Sequence, residues 1–149
     1  MSLRQTIDAD IKKAMLARNK EELEALRGIK SLILLAETEK GGGDLTAEAE
    51  VKLLMKAAKQ RKESAEIFQQ QGRQDLADKE LFQLEIINRY LPRQLTESEL
   101  VEALRNIIAE AGATGLHDMG KVMGLATKKL SGQAEGKLIA DWVKKLLTP

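Results

Sequence analysis

The chain has 149 residues, of which 43% are hydrophobic and 32% charged, enough for one medium domain or two small ones built from amphipathic elements. It has no cysteine, which excludes a disulfide framework, a thiol nucleophile and a Cys-ligated metal, and fits a reducing compartment. Its formal net charge of +1 excludes a global field for nucleic acid or membrane, so any electrostatic attraction must be local.

Helix formers dominate, and alternating runs of strand formers are absent, so the expected fold class is all-α, with about seven helices and no strands. Ser2 is a good N-cap for a first helix, along which Leu3, Ile7, Ile11, Ala14 and Met15 fall on one face. Arg18-Asn19-Lys20 marks a turn. A second helix is expected from about Glu21 to Lys40, apolar on nearly all sides around Leu32–Ala36 and therefore expected to be buried. Gly41-Gly42-Gly43 reads as a flexible joint. A third helix follows Thr46 and ends at Gly72, a left-handed C-cap. A fourth runs from about Gln74 to Tyr90, stopped by Pro92. Thr96 and Glu99 have the form of a capping box opening a fifth helix, which Gly112 closes. Asp118 is placed to cap a sixth helix, about Met119 to Leu130, and a last one is expected from about Ala134 to Leu147. Leu91-Pro92 is the natural boundary, giving a four-helix domain over 1–92 and a three-helix domain over 93–149.

No catalytic centre emerges from this pattern. His117, the one histidine, stands beside Asp118 without the second His or Cys of a metal set, and reads as a helix-entry residue. No serine lies in a nucleophile elbow, and neither a Walker loop nor a dinucleotide fingerprint is present. The acids follow helix surfaces, where they pair with Lys or Arg. No metal or cofactor is expected.

Two basic stretches stand out. Lys52, Lys56, Lys59, Arg61 and Lys62 occur over Val51–Lys62 with no acid among them, and the first three share a helix face. Lysines spaced so can track phosphates, while the plainer reading is a solvated helix surface. From His117 onward six lysines, including Lys121, Lys128, Lys129 and Lys137, face three acids. Lysines before the Ser131-Gly132 turn also suit the negative end of helix six. Gly120 and Gly124 lie within that helix, where each costs about 1 kcal/mol relative to Ala. Something should approach them closely, either a neighbouring helix of the same domain or an external partner.

Together these residues resemble the GatB/YqeY family, specifically its free-standing YqeY-like members, over essentially the whole chain. The resemblance rests on Leu26-Arg27-x-Ile29-Lys30-Ser31, Lys59-Gln60-Arg61-Lys62-Glu63-Ser64 and Gly72-Arg73-Gln74-Asp75-Leu76-Ala77-x-Lys79-Glu80. Tyr90-Leu91-Pro92-x-Gln94-Leu95 and Asp118-Met119-Gly120-Lys121-Val122-Met123-Gly124 complete it. It implies a two-domain helical fold related to the helical region and tail of the GatB component of the tRNA-dependent amidotransferase. That enzyme converts Glu-tRNA(Gln) or Asp-tRNA(Asn) to the amide with glutamine as nitrogen donor, and the shared part grips tRNA. The catalytic cradle of the GatB component, with its ATP and metal sites, has no counterpart here.

By position, Gly120, Lys121, Gly124, Lys128, Lys129, Gly132, Ala134 and Lys137 match the tail pattern. One departure is Glu135-Gly136 in place of Asn-Pro, which adds a negative charge near the expected phosphate path. The resemblance implies a non-catalytic accessory protein that binds tRNA or another structured RNA in the cytoplasm. The chain is not expected to bind DNA by sequence or to enter a membrane. The alternatives are an adaptor for the amidotransferase or an aminoacyl-tRNA synthetase, and a component of a carbon–nitrogen ligase with glutamine as amido-N-donor.

Overall fold

The computed structural model describes residues 1–149 as seven α-helices and one 3₁₀ turn, with no strand. The chain forms two compact units, Met1–Leu91 and Pro92–Pro149. No helix is long and apolar enough to cross a membrane.

The first unit is two helical hairpins. Helix α1 (Leu3–Leu16) opens with a capping box in which Ser2 and Gln5 exchange hydrogen bonds, satisfying two of the donors a helix start leaves open. The chain turns at Arg18, whose φ of 55° is the only positive value outside glycine, and enters α2 (Lys20–Lys40), capped by Asn19. Helix α3 (Ala47–Gln70), capped by Thr46, and α4 (Gln74–Asn88) form the second hairpin. Its tight turn has Gly72 at φ 74°. Helix α3 packs chiefly on α4 and α1 on α2, while α2 meets α4 and touches α3 only sparingly. Ile7, Leu26, Ile33, Leu54 and Ile86 are the fully buried centre of this core. Polar ties bind α1 to later helices: Leu3 donates its N–H to Glu50 at 2.6 Å, and Arg4 pairs with the buried Glu37 at 3.0 Å. Beyond α4, the Tyr90 hydroxyl donates to the Asp10 carboxylate.

Three expectations are corrected here. Helix α2 is not buried all round: Leu32, Leu34 and Leu35 are exposed, because α1 and α4 cover only the Leu26–Ile29–Ile33 face and α3 stands partly away from the rest. The triple glycine is not a loose joint but a built turn. Gly42 donates to the Glu37 carbonyl at 2.8 Å across the end of α2, and all three glycines have positive φ. Helix α4 stops at Asn88, two residues short of Tyr90, because Leu91 before Pro92 resists the helical region and the last turn unwinds ahead of it.

The second unit packs α5 (Glu97–Ala111), α6 (Met119–Lys129) and α7 (Gly136–Leu147) against one another. The Thr96–Glu99 capping box is present, and Gly112 ends α5 in the left-handed region at φ 65°. Leu100, Leu104, Val122, Ala126, Ile139 and Val143 fill the centre. Asp118 does not cap α6 through its side chain: the carboxylate instead accepts the Thr114 N–H at 2.9 Å, holding the loop before the helix. Helix α7 begins at Gly136, not Ala134, because Ala134 is buried in the preceding turn.

Candidate nucleic-acid interface

The α6 surface is the place where the glycines and lysines singled out in the sequence meet. Gly120, Lys121, Gly124, Thr127 and Lys128 recur at three- and four-residue steps and are all exposed, so they form one face of α6. Val122 and Ala126, a third of a turn and more away, are fully buried and anchor the opposite face.

A Cβ placed on Gly120 or Gly124 would meet nothing within 4 Å. Packing within the unit therefore does not demand these glycines. The expectation that a neighbouring helix of the same unit closes on them is corrected: they leave α6 bare toward solvent.

The lysines differ in what holds them. Lys121 donates to the Ala111 carbonyl at 2.9 Å, satisfying an acceptor at the end of α5 and placing positive charge there. An ammonium has three donors, so this leaves capacity for an external anion. Lys129 points off the glycine face and is ion-paired with Glu110 on α5. Lys128, one residue earlier, is exposed and forms no hydrogen bond or ion pair. Lys137, in the first turn of α7, is likewise exposed and unpaired.

Gly132 has another role than the one expected of it. It is buried, at φ 77°, in the α6–α7 turn, and its carbonyl accepts from the Gln94 side chain at 2.6 Å. Leu95 donates its N–H to Gln133 at 2.9 Å, so the segment after Pro92 clamps the turn between Lys128 and Lys137. Gly132 supplies a backbone conformation and not an approach surface. Gln94 was missed as a positioning residue, although its place in the Pro92-x-Gln94-Leu95 motif was the available signal. Glu135 precedes α7 without capping it through its side chain.

The second basic stretch is divided by α3 itself. Lys52, Lys56 and Lys59 share an exposed face, and Lys62 is exposed beside it. Arg61 points the opposite way, into the α3–α4 hairpin, where its guanidinium meets Glu80 at 3.1 Å and Gln83 at 3.4 Å. That removes Arg61 from the expected phosphate-tracking set, because its charge is already matched within the unit. His117 is exposed, with Nε2 3.3 Å from the Asp118 carboxylate. The Thr114 N–H, with His117 and Lys121 close by, holds the Asp118 carboxyl below its ordinary pKa.

The family model described as Yqey-like protein matches residues 4–147. Among curated proteins, the chain is similar to three named "Altered inheritance of mitochondria protein 41, mitochondrial". That of Clavispora lusitaniae is 38% identical over 114 residues, 75% of this chain and 66% of the relative. That of Pyrenophora tritici-repentis is 31% identical over 131 residues, 86% and 71%. That of Lachancea thermotolerans is 35% identical over 103 residues, 68% and 55%. The chain thus spans roughly two thirds of the relatives it matches. Their names place those relatives in mitochondria, a finding that overturns the cytoplasmic expectation. Cysteine content fits a reducing compartment without saying which one, so it could not separate the two.

Proposed function

The chain belongs to the Yqey-like protein family, and from that premise we propose that it is a non-catalytic accessory protein that binds tRNA or another structured RNA. The observation that carries this reading is the exposed α6 face, where Gly120 and Gly124 leave open space beside Lys121 and Lys128. A phosphodiester backbone can lie close against bare helix while ammonium groups reach its oxygens. Lys137 extends the positive charge onto α7. Few aromatics are available, 3% of residues, which favours recognition of backbone and shape over base stacking.

Titration of purified protein with unmodified tRNA over a salt series tests the reading. Affinity is expected to fall with salt, and Lys128→Ala to weaken binding and flatten the log–log slope by about one. Lys129→Ala is expected to matter less, because Lys129 is engaged with Glu110. A flat salt dependence, or wild-type binding by a Lys128→Ala/Lys137→Ala variant, defeats the proposal.

The same open face supports one second reading, an adaptor whose partner helix packs on Gly120 and Gly124, with an amidotransferase or aminoacyl-tRNA synthetase as the partner. Bulk then matters more than charge: Gly124→Leu abolishes pull-down of the partner while Lys128→Ala preserves it.

A further inference from the structure

We propose that the trough between α2 and α3 is a docking site for an acidic amphipathic helix of a protein partner. The proposal concerns the first unit and is independent of the RNA reading, which concerns α6 and α7.

Gly28, Leu32, Leu35, Ala36 and Glu39 recur at three- and four-residue steps, so they form one face of α2. Leu53 and Ala57 of α3 complete the floor, and Lys52 and Lys56 stand on the α3 side. Two openings of about 200 and 400 Å³ share Leu32, Ala57 and Gln60, so they form one continuous trough. From Gly28 to Glu39 it runs about 16 Å, three helical turns, at 1.5 Å per residue. The trough exists because α2 and α3 touch only sparingly, while each is packed firmly on another helix.

Its floor is apolar and wet: Leu32 is 38% exposed and Leu35 57%. A Cβ on Gly28 would meet nothing within 4 Å, so packing inside the unit does not require glycine there. Its effect is to keep one end of the trough open.

Charge selects the occupant. Lys52 and Lys56 lie one turn apart on the same side, exposed and without an ion-pair partner. A three-turn helix with apolar residues at i, i+3 or i+4 and i+7 would cover Leu32 and Leu35. Carboxylates one turn apart on its flank would meet the two lysines. Glu39 stands at the far end on the α2 side, which disfavours an acid there and gives the occupant a preferred direction. A flat anionic membrane would press against Glu39.

A displayed library of 18-residue amphipathic helical peptides, selected on the full chain and counter-selected on a Leu35→Glu variant, tests this. Enrichment of peptides with an apolar stripe and an acidic flank is expected. Charge reversal of Lys52 and Lys56 to Glu should weaken a selected peptide at least tenfold, and Gly28→Leu should do the same, with helical circular dichroism unchanged. No enrichment over the counter-selected variant, or enrichment without acidic bias, overturns the proposal. So does flotation with phosphatidylserine vesicles that is lost on Lys52→Glu, or dimerisation in sedimentation equilibrium that is lost on Leu35→Glu.

Discussion

Tyr90 is the single tyrosine, and it closes the first unit by donating to Asp10 across 80 positions of sequence. Burial, then the hydrogen bond and charge of Asp10, hold its phenol above its ordinary pKa of 10. A raised value means the neutral phenol is favoured in the folded state. Its contribution to stability is therefore complete below pH 10 and is lost as pH rises through the folded value. Absorbance at the tyrosinate band should stay silent at pH values where a free tyrosine has ionised, and appear only as the unit unfolds. Tyr90→Phe should lower stability by about 1.5–3 kcal/mol, the scale of a hydrogen bond to a charged acceptor. Glu99 shows the opposite sign. It meets Arg93 through two bonds of 3.0 and 2.7 Å and completes the α5 capping box. Arg93 first, then Thr96, lower its pKa from 4.5 to about 2. This contribution is present above pH 4.5 and disappears as pH falls toward 2. Melting temperatures measured between pH 5 and pH 2 should therefore fall less steeply in Glu99→Gln than in the parent chain.

Helices separate what a sequence states from what only packing decides. The caps at Ser2, Asn19, Thr46 and Thr96 and the glycine stop at Gly112 act within a few residues, and local chemistry specifies them. The exposed leucines of α2 were not legible, because Leu34 and Leu35 look the same in the chain whether or not a neighbour covers them. Nor were the pairings of Arg61 with Glu80 and Lys129 with Glu110, each 19 positions apart, which divide the basic residues into engaged and available sets. The α6 glycines were legible as anomalies, but the choice between packing and an open face needed the surrounding atoms. Their openness makes a stability prediction. Gly124→Ala should stabilise the second unit by about 1 kcal/mol in urea denaturation, since helix propensity improves and nothing is struck. Gly112→Ala should cost about 1–2 kcal/mol, because its φ of 65° disfavours an L-residue.

At the scale of the molecule, the two units have separate apolar cores, one centred on Leu26 and Ile86, the other on Leu104 and Val143. Damage to one core should remain there. Leu104→Ala, at a fully buried position, is expected to cost the second unit about 2–5 kcal/mol. Hydrogen exchange at Leu26 and Ile86 should be unchanged by it. Optical probes are already placed for the comparison: Trp142, with the Lys145 ammonium 4.7 Å from its ring, reports on the second unit, and Tyr90 on the first.

The turn after α2 has one more consequence. Gly41, Gly42 and Gly43 hold φ of 100°, 103° and 83°, three successive backbone states that belong to the mirror image of ordinary amino acids. Natural side chains are disfavoured there by their handedness, and not by crowding, since the space around each is open. A D-alanine introduced at Gly42 by chemical synthesis would meet a torsion it prefers and would stiffen the unfolded chain. Biosynthesis has no such residue, so achiral glycine is its least costly way to write a right-handed helix followed by three left-handed steps.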